Sequence, residues 1–211
     1  MMPPEWRPPV LRTPRLLLRP FTETDAGPLY PHASNPNVTR FTLWDYHQCI
    51  EETIAFVRDY ALLRYREGTA EPYAITIPPD DRPVGACGCF WASQPNRTME
   101  LGYWVAEPFW GQGIAAEASR ACVAEAFRAS GVHRMQARVI AGNVASGRVA
   151  EKLGFRYEGT LRGSLYRRGR SEDVMMYAVL RDEWVQKNPT PPQTGEGRAE
   201  SLTRSGQGVG G

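Results

Sequence analysis

A short turn with two glycines gives the chain its clearest chemical feature. An apolar strand pattern ending at Val105 is followed by Gly111 and Gly113, and a helix of small residues begins directly afterwards. A glycine turn before a helix leaves several N–H groups unpaired beside the positive end of the helix dipole. Glycine also lets the backbone approach a phosphate closely. The pattern predicts an anion site, although two glycines alone also suit an ordinary strand–turn–helix.

A second segment, residues 142–155, carries polar groups at the start of another helix. Asn143 is a suitable N-cap, Ser146 stands three residues later, and Gly154 fits the position after the helix end. A purely structural helix also satisfies this pattern, so its chemistry depends on what lies beside it.

Length and charge limit the classes of protein. The chain has 211 residues, 42% hydrophobic and 23% charged, and a formal net charge of +2. These values suit one globular domain of about 150–200 residues, and the charge gives no argument for nucleic acid. The N-terminus has no apolar signal region, and no run of about 18 apolar residues occurs. We expect a cytoplasmic protein with neither a nucleic-acid nor a membrane partner.

The cysteines and histidines do not have the spacing of a metal site. Cys87 and Cys89 are two residues apart in a strand-like run, so they share a face and do not readily bridge to each other. Neither a C-x-x-C pair nor a Cys/His pair with zinc spacing is present. We therefore expect reduced, buried thiols and no metal.

Strands and helices alternate between two polar ends. Residues 1–12 form a proline-rich extension, 13–187 one folded domain, and 188–211 a tail with too few apolar residues to fold. The patterns predict strands at 15–21, 73–77, 83–91, 98–105, 135–140, 155–161 and 174–180, and helices at 24–33, 47–67, 114–130 and 143–153. This order indicates an α/β or α+β domain built on one mixed sheet.

In the helix at 47–67, the apolar residues fall on one predicted buried face. That face comprises Ile50, Ile54, Val57, Ala61 and Leu62.

Together, the two segments resemble the acetyl-CoA-binding core of the GNAT superfamily of N-acetyltransferases, and most closely its RimJ/RimL branch. The resemblance runs from Arg12 to Trp184 and follows five runs in order: 100–105 (Glu-Leu-Gly-Tyr-Trp-Val), 111–115, 143–146, 152–155 and 173–180. It implies a mixed sheet of about seven strands flanked by about four helices.

The resemblance also implies a binding site for acetyl-CoA as co-substrate. The backbone of Gly111, Gln112, Gly113, Ile114 and Ala115 would hold the pyrophosphate, beside Trp110, which stands where relatives usually have Gln or Arg. The strand at Trp104 and Val105 would pair with the pantetheine, and the Val105 amide would polarise the thioester carbonyl. Asn143 and Ser146 would contact the pantetheine and the sulfur.

No serine–histidine–acid or cysteine–histidine pairing has local sequence support, so we expect direct transfer without an acyl-enzyme. The resemblance leaves the proton chemistry open. The tyrosine that many relatives use as an acid falls at Ala150, so Ser146 is the remaining candidate donor, with a serine that bonds its own backbone as the alternative. Glu100 is the candidate general base, acting through water, with a structural pair to an arginine as the alternative. In a strand, Glu100 shares a face with Trp104, while the side chains of Tyr103 and Val105 point to the other face.

The implied acceptor is an amine, either a protein N-terminus or a small molecule, and a homodimer is an open alternative. Arginines at 162, 167, 168 and 170 would recognise an acidic acceptor or phosphate, or belong to a solvated hairpin. Phe41, Trp44 and Tyr46 would line an apolar pocket or pack in the core. Because position 150 lacks the tyrosine, a non-catalytic CoA-binding module stays the alternative function.

Overall fold

A mixed β-sheet organises residues 8–188, the part of the chain that the computed structural model describes. The sheet has eight strands in the order β1-β2-β3-β4-β5-β6-β8-β7, and every neighbouring pair is antiparallel except β5–β6. The strands are β1 Leu11–Arg12, β2 Leu17–Pro20, β3 Tyr73–Ile77, β4 Asp80–Ser93, β5 Thr98–Val105, β6 Arg134–Ile140, β7 Arg156–Arg167 and β8 Arg170–Leu180.

Helices cover both faces of this sheet. They are α1 Ala26–Ala33, α2 Pro36–Thr39, α3 Ile50–Ala55, α4 Leu62–Arg66, α5 Ile114–Ala129, α6 Val144–Lys152 and α7 Arg181–Lys187. A 3-10 turn precedes α1, another lies at Glu107–Phe109, and a π-helical stretch, Phe56–Ala61, joins α3 to α4. The predicted mixed sheet with flanking helices is confirmed, with a short first strand that begins ahead of the predicted domain boundary at residue 13.

Each face of the sheet has its own core, because side chains alternate along a strand. The larger core joins the sheet to α5 and α6, and it contains Val105, Ile114 and Ala150. The smaller core joins the opposite face to α1 and the π-helical stretch, with Ala86 buried and Trp104 packed against it. Tyr103 and Trp104 therefore face different layers of the molecule, as the alternation predicts.

The sheet opens between β5 and β6. Their parallel pairing covers only three positions and ends at Glu100 opposite Gln136. Beyond that point β5 stays paired to β4 as far as Val105, and β6 stays paired to β8 as far as Ile140. We call this opening, between residues 101–105 and 137–140, the wedge.

The π-helical stretch moves the buried face of the long helix. Thr53, Val57, Ala61 and Tyr65 are buried at intervals of four, whereas Ile54 is 41% exposed. The prediction of Ile54 as a core residue is therefore wrong. A regular 3.6-residue period was assumed across a segment whose turns are wider.

The late hairpin is longer than its sequence pattern predicts. The strand expected to stop at residue 161 extends to Arg167, and a two-residue turn, Arg168–Gly169, leads into β8. Both turn residues have positive φ, 47° and 78°, as a tight hairpin turn requires. The predicted disordered tail lies outside the described residues from 189 onward, as do residues 1–7 of the predicted extension.

All four cysteines are unpaired, as expected. Cys87 and Cys89 both lie in the larger core, so they share a face, and Cys122 of α5 is buried there too. Cys49 is exposed.

Candidate active site

The glycine turn presents a set of free backbone donors. Gly111 and Gly113 have φ of 74° and 79°, values that side-chain-bearing residues rarely adopt. Within residues 8–188 the N–H groups of Gly111, Gln112 and Gly113 meet no hydrogen-bond acceptor, and those of Ile114 and Ala115 begin α5 without an intrahelical one. A Cβ built on Gly111 meets nothing within 4 Å, so the turn is open to a ligand.

Arg15, near the start of the chain, binds this turn and holds it in place. Arg15 Nη1 donates to the Gln112 carbonyl oxygen at 3.0 Å, and Arg15 Nε donates to Glu117 Oε2 at 2.7 Å. Glu117 lies in the first turn of α5, so the arginine links the glycine turn to the helix it precedes. These bonds place a guanidinium beside the anion site.

The register of β5 decides which backbone groups face the wedge. Ala106 N donates to Val84 O at 2.8 Å across β4. Hydrogen-bonded and non-hydrogen-bonded pairs alternate along an antiparallel ladder. The next pair, Val105 with Gly85, therefore has no backbone hydrogen bond between β5 and β4. The N–H groups of Val105 and Tyr103 therefore point toward β6, into the wedge.

Trp110 supports the same orientation. Its indole Nε1 donates to the Val105 carbonyl oxygen at 2.6 Å, on the side away from β4. The bond ties the glycine turn to the end of β5. Trp110 therefore holds the glycine turn against β5 at the protein surface, where the residue is 48% exposed.

Trp104 lies between Tyr103 and Val105, the two residues whose N–H groups face the wedge. It is opposite Ala86, and by the same alternation its backbone groups bond to β4. Its side chain lies on the opposite face and meets the Trp44 ring at 5.6 Å between centroids. The indole of Trp104 thus belongs to the face opposite that of Tyr103 and Val105.

The start of α6 lies at the mouth of the wedge. Asn143 Oδ1 accepts the Ser146 N–H at 3.2 Å, as an N-cap does. In the part of the chain described here, the Asn143 amide nitrogen has no hydrogen-bond partner. Ser146 Oγ is 2.7 Å from the Tyr103 hydroxyl oxygen. The serine hydroxyl thus bonds a side chain 43 positions away rather than its own backbone.

Glu100 lies where the wedge begins, and its carboxylate is paired. Arg138 Nε donates to both carboxylate oxygens at 2.8 and 2.9 Å, and Gln136 Nε2 donates to Oε2 at 2.9 Å. The carboxylate is 9% exposed and the arginine 45%. This geometry matches the alternative of an arginine-paired carboxylate, and lone pairs are left for a water.

A row of aromatic rings covers the face of the sheet on which Glu100 lies. Adjacent ring centroids are 5.4–6.5 Å apart along the row Trp104, Trp44, His47, Phe56 and Tyr60. Burial lowers the pKa of His47, whose Nδ1 is 2.7 Å from Thr53 Oγ1. A neutral imidazole therefore belongs to an otherwise apolar row.

The other predicted aromatics flank this row. Phe41 reaches the start of α6, where a Cβ on Gly142 would be 3.9 Å from its ring, and Tyr46 is 42% exposed. At the far end, Tyr60 lies beside Glu71, a carboxylate paired with Arg64. Burial raises the pKa of Glu71, against the opposing effect of Arg64.

The hairpin arginines bind protein groups. Arg168 Nε donates to Asp45 Oδ1 at 2.7 Å, and its Nη2 donates to the carbonyl oxygens of Thr39 and Trp44 at 3.0 and 3.1 Å. Arg167 and Arg170 both pair with Glu172. All three are therefore paired with acidic side chains of the protein, although the Arg170 side chain is 71% exposed, whereas that of Arg167 is 9% exposed. Residues 39–45, here called the acceptor loop, are held over the row by Arg168.

Sequence reasoning missed two residues of the site, Arg15 and Tyr103. Arg15 lies 97 positions from its partner Gln112, and no local pattern connects them. For Tyr103 a signal was present, because strand alternation placed it on the face that α6 covers.

Residues 8–188 contain neither a cluster of metal ligands nor a helix that could span a membrane. No group of three or more His, Cys, Asp or Glu side chains there is arranged to hold a metal. Among the described helices, none combines the length and apolarity that crossing a membrane requires.

A glycine turn before α5, a sheet that opens beside it and a polar helix start at the mouth define the class of acyl-CoA-dependent transferases. The family model for the acetyltransferase (GNAT) domain matches residues 15–156. This chain belongs to the GNAT acetyltransferase family.

Relatives place it further within that family. An uncharacterised N-acetyltransferase of Bacillus subtilis, YoaA, is 32% identical over 173 residues, 82% of this chain and 97% of the relative. The ribosomal-protein-serine acetyltransferase of Escherichia coli is 29% identical over 135 residues, 64% of this chain and 74% of the relative. The structure of RimL, a ribosomal L7/L12 α-N-protein acetyltransferase in complex with coenzyme A, has a TM-score of 0.73 at 26% identity, covering 82% of this chain and 98% of that one. The similarity is consistent with the RimJ/RimL branch.

Proposed function

We propose that the protein transfers an acetyl group from acetyl-CoA directly to a primary amine, with no acyl-enzyme. The observation that carries this proposal is the continuity of the site. The free amides of the glycine turn, the wedge-facing Val105 N–H and the Ser146 hydroxyl follow one another along a single opening.

The residues present fit acetyl-CoA, which supplies an activated thioester. The open turn at Gly111 accommodates a pyrophosphate, because nothing lies within 4 Å of an added Cβ and its amides are unpaired. The unpaired edge of β5 at Tyr103 and Val105 can bond a pantetheine as an added strand does. The free amide nitrogen of Asn143 is a further donor for it.

Val105 and Ser146 would act on opposite sides of the reacting carbonyl carbon. The Val105 N–H stabilises negative charge on the carbonyl oxygen, and a donor of this kind is typically worth about 10²–10³ in kcat. The Ser146 hydroxyl donates toward the departing sulfur. The amine nitrogen bonds to the carbonyl carbon, the carbon–sulfur bond breaks, and the electron pair leaves with sulfur.

Glu100 would take part through water. The amine must lose a proton during the transfer, and a carboxylate that faces the aromatic row can accept it through a bound water. Its pairing with Arg138 fixes the carboxylate in place. The amine gives up one proton through this water, and the released thiolate takes up one proton from solvent, so the net charge of the reaction is unchanged.

The favoured acceptor is a protein N-terminus. Support comes from the names of two relatives, a ribosomal-protein-serine acetyltransferase and RimL. The aromatic row can contact the apolar part of a first residue or of a small amine. A cytoplasmic location is proposed with this acceptor, since the four thiols are unpaired.

The test is thiol release from acetyl-CoA with a panel of peptides and small amines, followed by mass spectrometry of the product. We expect one α-amine class to be acetylated, and Ser146→Ala to lower kcat by about 10²–10³ with unchanged affinity for CoA. Gly27→Ala is the control, because a Cβ there meets nothing within 4 Å. Tight CoA binding with no turnover of any amine would instead favour a non-catalytic CoA-binding module.

A further inference from the structure

The bond between Tyr103 and Ser146 joins two elements that the sheet does not join. Tyr103 lies on the part of β5 that has left β6, and Ser146 lies in the first turn of α6. Their hydroxyl oxygens are 2.7 Å apart, a normal length for an O–H···O bond. The contact therefore spans the mouth of the wedge, next to the Val105 N–H.

The tyrosine keeps its proton under ordinary conditions. Burial raises the pKa of Tyr103 to about 12, and the bond from Ser146 opposes that rise only in part. A half-buried phenol that stays protonated can donate its hydrogen to a nearby acceptor. Among the described residues, Ser146 Oγ is the group that its hydroxyl meets.

The direction of this bond determines where the serine hydrogen points. When the phenol donates, one lone pair of Ser146 Oγ is occupied and the serine hydrogen is directed elsewhere. The Ser146 N–H is already bonded to Asn143 Oδ1, which fixes the serine backbone. A hydroxyl whose acceptor side is filled is also a stronger donor, because hydrogen bonds in a chain polarise one another.

We propose that Tyr103 is a positioning residue that donates to Ser146 and so aims the Ser146 hydroxyl at the thioester sulfur. This inference rests on the proposed acetyl transfer. Neither residue loses its proton. Tyr103 donates to Ser146 and Ser146 donates to the sulfur while the carbon–sulfur bond breaks, and solvent protonates the thiolate. The phenol comes from a strand, whereas the helix position where many relatives carry a tyrosine is the buried Ala150.

The test compares Tyr103→Phe, Ser146→Ala and the double variant in the full chain. Tyr157→Phe is the matched control, because it removes a phenol hydroxyl that is also 2.7 Å from another hydroxyl, that of Thr160, on an exposed residue. The readouts are kcat, the KM for acetyl-CoA, CoA affinity and the melting temperature.

We expect Tyr103→Phe to lower kcat about tenfold, the effect of one lost hydrogen bond, with little change in the KM for acetyl-CoA. The double variant should match Ser146→Ala alone, since the tyrosine acts only through the serine. Tyr157→Phe should leave kcat unchanged. Ser146→Ala should also move the absorbance titration of Tyr103 to higher pH, because Ser146 lowers that pKa.

Three results would overturn the positioning role while wild-type protein stays active. They are an unchanged kcat in Tyr103→Phe, additive losses in the double variant, or a larger loss from Tyr103→Phe than from Ser146→Ala. The last would make the phenol itself the donor to sulfur. Wild-type protein that binds CoA and turns over no amine would overturn the proposed function, and this role with it.

Discussion

At the scale of single residues, the site places a charged acceptor and a neutral hydroxyl on different faces of one strand. Glu100 lies on the face of the aromatic row, and Tyr103 lies on the face of α6. A base for the amine and a donor for the sulfur are needed on opposite sides of the reacting carbon. Alternation along β5 places Glu100 on one face and, on the other, Tyr103, whose hydroxyl meets Ser146 of α6.

Two variants distinguish a role of Glu100 as the general base from a structural role of its ion pair with Arg138. Glu100→Gln removes the base and the pair, whereas Arg138→Gln removes the pair and keeps the carboxylate. We expect Glu100→Gln to lower kcat by about 10²–10⁴, the range of general base catalysis, and Arg138→Gln to lower it far less. Steady-state kinetics on both variants, with melting temperatures, checks this.

Equal losses of kcat in the two variants would contradict a base role. They would mean that the pair of Glu100 with Arg138 holds β5 and β6 together at the point where the wedge begins.

At the scale of elements, the glycine turn and α5 form one unit. Gly113 is the N-cap of α5 in the left-handed conformation, with φ of 79°. A side chain there strains the backbone by about 1–2 kcal/mol, and relief of that strain rotates the amides beside it. The N-cap conformation and the anion site are therefore coupled.

Gly113→Ala should weaken CoA binding at least about fivefold, the ratio that corresponds to 1 kcal/mol. The matched control is Gly131→Ala just beyond the other end of α5, where φ is not positive and a Cβ would meet only the end of the Arg97 side chain at 4.0 Å. Calorimetric titration with CoA measures both affinities. The same affinity in both variants would show that the left-handed cap is not needed for binding.

The sequence predicted this unit well because its determinants are consecutive. Gly111, Gly113 and the first turn of α5 follow one another, so spacing alone placed them. The wedge could not be predicted in that way, because it depends on where pairing of β5 with β6 stops. The sequence also could not show which backbone groups of β5 face the wedge, because alternate residues of a strand bond to opposite neighbours and composition does not record which residues bond to which.

At the scale of the whole molecule, distant segments meet at the acceptor side. Arg168, at the tip of the hairpin, contacts the acceptor loop more than 120 positions earlier in the chain. Trp44 in that loop packs against Trp104 of β5. The hairpin therefore holds the acceptor loop, which packs against β5 through Trp44.

Arg168→Ala should loosen the acceptor loop and leave the CoA site intact. The variant loses bonds to Asp45 Oδ1 and to the carbonyl oxygens of Thr39 and Trp44, and a net loss of about 1–2 kcal/mol is expected. The KM for the amine should then rise about 5–30-fold while CoA affinity is unchanged. Amide hydrogen exchange in residues 39–45 should become faster. Arg170→Ala is the control, since Arg170 pairs with Glu172 on its own hairpin. If the two variants give the same KM for the amine, the hairpin does not shape the acceptor side.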